Sequence, residues 1–159
     1  AFGACSSPKV YSGLRDGAHT FQVRAKDAAG NTDPVGAFRR WTIDTRKPRV
    51  TSVVPGAGAL AVARGSNVIA TFSEPMKAST LSKGTFKLVK KGTTTAVPAA
   101  VSVPVGNKAV LNPSASLVRG ATYTATVTTG ATDRVGNPLD QNAQLAGNQK
   151  KSWSFRVAK

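Results

Sequence analysis

One phrase of sequence occurs twice in this chain, and its two copies constrain what the rest of the chain can fold into. Each copy contains a bend, a strand of alternating polar and apolar residues, an Asp-x-x-Gly-Asn turn and a returning strand that carries tryptophan. The early copy occupies residues 14–43 and the late copy residues 117–155. A phrase repeated at this distance predicts tandem units of one architecture.

The composition predicts an all-β chain with enough apolar residues for a core. Hydrophobic residues make up 40% of the 159 residues, aromatic residues only 6%, and the turn-forming Gly and Pro number 15 and 9. From Arg49 onward about eight short strand signals follow one another, separated by turn residues and without a long helical pattern. This spacing is typical of an immunoglobulin-like antiparallel β-sandwich.

The first unit carries fewer strands than a sandwich needs. Residues 19–25 alternate, residues 38–43 return, and Lys9 to Tyr11 supply a third short strand. Three such strands leave an apolar face bare, so we expect this unit to be disordered alone or completed by strand pairing with a neighbouring module or another chain. The predicted division is an incomplete Ig-like module at residues 1–44, a short linker at 45–48, and a complete sandwich at 49–159.

Six separated motifs in the second unit carry a family resemblance. They are residues 55–59, residues 68–76, Leu111-Asn112-Pro113, residues 117–129, residues 133–139 and Trp153-Ser154-Phe155. In this order they resemble the bacterial Ig-like domains that are repeated in large surface and secreted proteins.

A second resemblance covers the first unit. Residues 4–48 look like the C-terminal part of another bacterial Ig-like type, with its Cys-Ser-Ser-Pro stretch, its Gly-x-His-Thr-Phe strand and its Asp-x-Ala-Gly-Asn turn. In that type the cysteine has a mate earlier in the repeat. The resemblances imply a non-catalytic, extracellular or cell-surface module that acts as a spacer, stalk or adhesive unit, without naming a ligand.

The charge of the chain suggests a second function. The net charge is +15, from 22 basic and 7 acidic residues. Such an excess favours binding to an anionic polymer, such as teichoic acid, acidic polysaccharide or nucleic acid. The candidate binding residues are Lys87, Lys90, Lys91, Lys150, Lys151 and Arg156. The basic residues occur singly or in pairs, and no run of five or more is present. A surface that is charged only for solubility therefore explains them equally well.

The residues that catalysis requires are sparse, and we expect the chain not to be an enzyme. His19, the one histidine, aligns with Tyr123 at the bend before a strand, which predicts that both bond back to the preceding backbone as in a tyrosine corner. Trp41 and Trp153 occupy equivalent places on the two returning strands. This favours packing roles for them, with sugar stacking as the alternative.

The two Asp-x-x-Gly-Asn turns offer carboxylate and amide oxygens, the ligands that calcium prefers. The candidate ligands are Asp27, Asn31 and Asp33 in the first unit, and Asp133, Asn137 and Asp140 in the second. An aspartate that caps its own turn explains both motifs fully, so no cofactor is required and calcium stays an alternative. The long connection from Pro138 to Lys151 is the first place to look for a ligand.

Two further observations concern the location of the chain. No apolar run of about 18 residues is present to span a membrane, and no signal segment precedes the first strand. The chain begins at Ala1 and its one cysteine, Cys5, has no internal mate. We expect a segment of a longer exported polypeptide, in which Cys5 pairs outside this stretch or remains a free thiol.

Overall fold

The computed structural model of the chain describes residues 2–104 and 106–159. Its regular elements are nine β-strands and one 3₁₀ turn at Ala78–Thr80. The strands are β1 (Gly17–Val23), β2 (Ala37–Ile43), β3 (Val50–Val54), β4 (Val68–Phe72), β5 (Phe86–Lys90), β6 (Ala99–Ser102), β7 (Lys108–Pro113), β8 (Thr122–Val127) and β9 (Lys151–Arg156). Within these described ranges no helix is long and apolar enough to cross a membrane. Contacts divide the chain into two compact units, between Thr45 and Arg46.

The first unit is a single antiparallel hairpin of β1 and β2, in which His19 lies opposite Trp41 and Phe21 opposite Arg39. The predicted strand from Lys9 to Tyr11 is wrong, since these residues join no sheet. The Tyr11 ring instead packs edge-on against the ring of Phe21, with 5.9 Å between centroids. Pro8 lacks the N–H donor that a ladder would need at the start of such a strand.

The first unit has no buried core. None of its described residues up to Thr45 is buried, and the apolar side chains of Val23, Val35 and Phe38 are 41%, 73% and 62% exposed. An isolated two-stranded hairpin is marginally stable at best in water, because the burial of apolar surface is what stabilises a sheet.

The second unit is the predicted all-β antiparallel sandwich, which is thereby confirmed. One sheet has the strand order β3-β4-β7-β6 and the other β5-β8-β9. Alternate residues of each strand point inward, as in β8, where Tyr123, Ala125 and Val127 are buried while the intervening threonines are half-exposed. The inner faces of both sheets contribute to one continuous core that contains Val68, Leu111, Phe86, Leu88 and Phe155.

The described part of the second unit contains seven of the expected eight strands. The missing strand is the stretch from Thr94 to Val97, which is reduced to one bridge between Val89 and Ala96 and a hydrogen bond from the Val97 N–H to the Leu88 carbonyl. Pro98 follows immediately and has no N–H to continue the ladder.

The stretch from Thr94 to Val97 covers the edge of the sheet at β5, and the edges at β3 and β9 are covered as well. The Gln141 side chain accepts a hydrogen bond from the N–H of Val50 and donates one to the Val50 carbonyl, at 3.0 and 3.1 Å, so that it mimics a neighbouring strand beside β3. Beside β9, the backbone of residues 58–62 bonds to Ser154 and Arg156. Covered edges disfavour pairing with other chains.

The difference in burial predicts a difference in protection from hydrogen exchange. The amides of β1 and β2 should exchange at least about a hundredfold faster than those of β8 and β9, because a hairpin without buried contacts opens at little cost in free energy. Exchange measured by mass spectrometry on the whole chain tests this, and the β8–β9 hairpin is the matched control within the same sample. Equal protection of the two hairpins in a monomeric chain would contradict the prediction.

Candidate functional site

The two Asp-x-x-Gly-Asn turns have the same geometry. In each turn the Asp N–H donates to the Asn carbonyl at 3.0 Å, and the Asn N–H donates to Asp Oδ1 at 2.8 Å. The Asn side-chain amide then donates to Asp Oδ2, again at 2.8 Å in both copies. Gly30 and Gly136 take φ values of +95° and +107°, a conformation that residues with a Cβ rarely adopt.

The surroundings of the two turns differ. Asp133 is 1% exposed, and its Oδ1 also accepts the N–H groups of Val135 and Gly136 at 2.9 and 2.7 Å. Asp27 is exposed, and the hydrogen bonds from Asn31 hold its pKa below the ordinary value. In both turns the carboxylate oxygens bind the turn itself, which favours the structural explanation, and a calcium role for these residues stays a prediction.

The remaining two calcium candidates also bind backbone groups. Asp33 Oδ1 accepts the Val35 N–H at 3.0 Å, and the N–H groups of Gly36 and Val35 lower the pKa of Asp33. Asp140 Oδ1 accepts the Gln149 N–H at 3.1 Å, while its Oδ2 lies 3.3 Å from the ammonium of Lys47. The predicted trio of the second unit is therefore divided, since Asp133 and Asn137 bond to each other while Asp140 forms an ion pair.

The pKa of Asp140 is set by opposing effects. Burial raises it, but the Gln149 N–H, the Lys47 ammonium and the Asn142 N–H together outweigh burial and hold the pKa below the ordinary 3.8. Lys47 also donates to the side-chain oxygen of Asn148 at 2.8 Å. The long connection after Pro138 thus uses these polar side chains to attach itself to the sandwich.

The two corner residues bond back to the bend that precedes their strands. His19 Nε2–H donates to the Arg15 carbonyl at 2.7 Å. The Tyr123 hydroxyl oxygen accepts the Val118 N–H at 3.0 Å. Both links tie the start of a strand to its bend, which is a structural role.

The tryptophans do not occupy equivalent places. His19 stacks on Trp41 with 5.7 Å between ring centroids, and Tyr123 stacks in the same way on Phe155 at 6.1 Å. Trp41 therefore corresponds to Phe155, whereas Trp153 lies opposite Ala125, two residues earlier on β9. The alignment of the Trp-containing phrases was wrong because the strand register is set by pairing, which local sequence does not show.

Trp153 is 4% exposed and packs in the core. Its indole N–H donates to the Pro55 carbonyl at 3.1 Å, and its ring lies 6.1 Å from that of Phe86. A ring in this position has no face to offer a sugar. Trp41 is half-buried against His19.

The six basic candidates separate into two groups. Two of them, Lys87 and Arg156, lie on the outer face of the β5-β8-β9 sheet, where they pair with the outward residues Thr126 and Thr122. Lys91 is the first residue after β5, and its N–H bonds to the Thr122 carbonyl, which continues the register of this face. The others lie elsewhere, since Lys90 and Lys151 share the register of the buried residues at strand ends, and Lys150 precedes β9.

Between these cations the outer face is lined by hydroxyl groups. Those of Thr124 and Ser154 are 2.8 Å apart and those of Thr126 and Ser152 are 3.0 Å apart. We call this surface the hydroxyl face; its polar residues are Lys87, Lys91, Arg156, Thr122, Thr124, Thr126, Ser152 and Ser154. The strands β5, β8 and β9, all of whose residues the structure describes, contain no Asp or Glu.

The hydroxyl row was missed in the sequence. Threonine and serine at alternate positions are ordinary for the solvent side of a strand, so nothing local marks them as a set. Only the pairing of β8 with β9 places the hydroxyls opposite one another.

The buried carboxylate of Asp133 should contribute to the stability of the second unit. Substituting Asp133→Ala removes the charged acceptor of three backbone N–H groups and of the Asn137 side-chain amide, and we expect a loss of about 3 kcal/mol in the free energy of unfolding. Urea unfolding monitored by tryptophan fluorescence measures it. The control Asp27→Ala removes the same side chain from the exposed copy and should change this transition by less than about 0.5 kcal/mol. Equal losses would contradict the structural role of burial.

The depressed pKa of Asp140 predicts acid sensitivity. Because the unfolded chain binds the proton more readily, this carboxylate contributes stability above its ordinary pKa of 3.8, and the contribution is lost as pH falls through the lower folded value. The melting temperature of Asp140→Asn should be lower than wild type at pH 7 and should converge with it toward pH 2. The variant Lys47→Met removes the ammonium but keeps the bonds from the Gln149 and Asn142 N–H groups to Asp140. Its melting temperature should converge only partly with that of the wild type as the pH falls. A constant gap at all pH values would contradict this.

The second unit is similar to known proteins in sequence and in fold. A profile of the family described as bacterial Ig-like domain matches residues 44–157. A search of curated proteins found no match. Among solved structures, the N-terminal part of the bacterial S-layer protein SbsC is 25% identical with a TM-score of 0.51, covering 72% of this chain and 24% of that one.

Two smaller proteins share the fold at lower identity. PcoC, a methionine-rich copper resistance protein from Escherichia coli, is 20% identical with a TM-score of 0.55, over 70% of this chain and 99% of that one. CopC from Methylosinus trichosporium OB3b is 13% identical with a TM-score of 0.53, over 70% and 93% of the two chains.

The present chain spans only 24% of the S-layer structure it matches. The family profile, in contrast, spans most of this chain and includes every strand of the sandwich, from β3 to β9. The chain therefore belongs to the bacterial Ig-like domain family.

Proposed function

We propose that this chain is a structural module of a large bacterial extracellular or cell-surface protein and acts there as a spacer or stalk in a tandem Ig-like array. Bacterial Ig-like domains are a non-catalytic family, and the likeness to an S-layer protein fits a surface location. The observation that carries the proposal is the identical hydrogen bonding of the two Asp-x-x-Gly-Asn turns, one in each unit.

The first unit fits this array as the C-terminal hairpin of a second Ig-like module of another type. Its corner residue, turn and stacked aromatic pair all have counterparts in the β8–β9 region. In the complete sandwich the apolar face of that region is buried by a facing sheet. The partner of the first unit is therefore a neighbouring Ig-like module, of the same polypeptide or of another chain, whose strands cover the hairpin face.

The second unit has properties that suit a spacer. At three of its four edge strands, β3, β5 and β9, the sheet edge is covered, which disfavours lateral pairing between adjacent modules at these edges. Its positive charge keeps modules soluble at high local concentration.

The copper proteins share only the fold with this chain. Cuprous copper prefers sulfur and imidazole ligands. This chain contains one Met, one His and one Cys, and Met76 is 5% exposed within the core. Copper handling is therefore no part of the proposal.

A second candidate function is binding of an anionic polymer through a basic surface. The specific observation in its favour is that Lys87, Lys91 and Arg156 share one sheet face whose strands carry no acidic residue. Binding of this class falls steeply with salt. Absence of any binding to teichoic acid, acidic polysaccharide and DNA at about 50 mM salt would exclude it.

The spacer proposal predicts the response of the chain to force. Pulled between flanking handles in a single-molecule instrument, the second unit should unfold in one resolved event that adds about 35 nm of contour length, because all its strands share one core. The variant Asp133→Ala is the control: it should lower the unfolding force and leave the length gain unchanged. Extension without a force peak, or measurable hydrolysis or group transfer by the purified chain, would contradict the proposal.

A further inference from the structure

The hydroxyl face combines cationic side chains with two pairs of hydroxyl groups. Its outward residues form three rows across the sheet. The first row is Lys87, Thr126 and Ser152, the middle row is Val89, Thr124 and Ser154, and the last row is Lys91, Thr122 and Arg156. Lys91 directly follows β5, so strand dimensions place Lys87 and Lys91 about 13 Å apart along the chain, and Lys91 and Arg156 about 10 Å apart across the sheet. A linear polymer that lies diagonally over the face meets a positive charge at both ends and hydroxyl groups between them.

The chemistry of these groups points to phosphate. The Arg156 side chain is oriented by a hydrogen bond from its Nε–H to the Gly120 carbonyl at 3.1 Å. The guanidinium has five N–H donors in a planar fork that suits phosphate oxygens, and the lysines add point charges. The paired hydroxyls of Thr124 with Ser154 and of Thr126 with Ser152 can both donate and accept, and so can the hydroxyls of a polyol.

The same face lacks what single-stranded nucleic acid needs. Single-stranded nucleic acid is bound mainly by stacking of its bases on aromatic rings, and no residue of the hydroxyl face is aromatic. A flexible polymer that carries charges and hydroxyl groups but no aromatic rings does not need aromatic side chains for stacking. The bacterial surface location of the family agrees with a polymer of the cell envelope.

We propose that the hydroxyl face binds polyol-phosphate chains of the teichoic acid class, with Lys87, Lys91 and Arg156 contacting phosphates and the threonine and serine hydroxyls contacting the polyol. This proposal rests on the second candidate function above and gives it a ligand and a site. It is independent of the spacer proposal, because a spacer needs no ligand.

The test measures the affinity of the whole chain for poly(glycerol phosphate) as a function of salt. The double variant Lys87→Gln with Lys91→Gln should bind about tenfold more weakly at 50 mM salt, and the slope of log affinity against log salt should fall by about 1.5, since two phosphate contacts are lost. The matched control is Lys77→Gln with Lys108→Gln, which removes the same charge from exposed positions off this face and should change affinity less than about twofold. Equal melting temperatures show that all variants are folded.

A second variant tests the hydroxyls. Thr126→Val with Ser152→Ala removes one hydroxyl pair at little change in volume and should weaken binding about threefold, as expected for lost hydrogen bonds at an exposed site. Unchanged affinity would show that charge alone binds and would overturn the assignment to a polyol.

Other outcomes separate this proposal from the broader one. Equal losses in the two lysine double variants would mean diffuse attraction and would overturn the assignment of the face, although polymer binding as such would stand. Tighter binding of a short DNA duplex or of polygalacturonate, lost in the same face variant, would overturn the polyol-phosphate ligand. Absence of binding to every polymer at low salt would remove the second candidate function together with this proposal.

Discussion

The burial of apolar sheet faces is the constraint on which the rest of this structure depends. In the second unit two sheets cover each other, and side chains such as Phe86 and Leu111 are withdrawn from water. Each such side chain contributes about 1.5–3 kcal/mol relative to an exposed one. The first unit has strands of similar length and the same alternation, but no second sheet covers its hairpin within the described residues. The same local pattern thus gives a stable module in one place and an exposed hairpin in the other.

The repeated turn separates local from tertiary effects. The bonds between Asp27 and Asn31 match those between Asp133 and Asn137 in length, because they join residues four positions apart and need nothing else. What differs is burial. The Asp133 carboxylate is buried, so the N–H groups that it accepts offset its loss of hydration, whereas the exposed Asp27 carboxylate can exchange its partners for water.

A sandwich with a closed core leaves its outer faces for other roles. Trp153 is used by the core, and Asp140, Gln141 and Lys47 attach the long connection to the sandwich, so these conspicuous side chains serve the fold. The hydroxyl groups on the outer surface of the β5-β8-β9 sheet point away from the core and are not needed for its packing. A module that acts as a spacer can therefore also carry a binding surface, and the two roles place no conflicting requirements on the same residues.

Much of the secondary structure could be predicted from local sequence, because alternation, turn residues and the bend before a strand act over a few positions. The all-β class, the strands from Val50 onward and the turns at Asp27 and Asp133 are of this kind. Pairing joins residues far apart in sequence and leaves no local signal. For this reason only the tertiary structure decided that Trp41 corresponds to Phe155, that Lys90 turns away from Lys87 and Lys91, and that the threonines of β8 meet the serines of β9. The sequence determined which residues form strands and turns; the structure decided which faces are buried, because burial depends on what lies opposite.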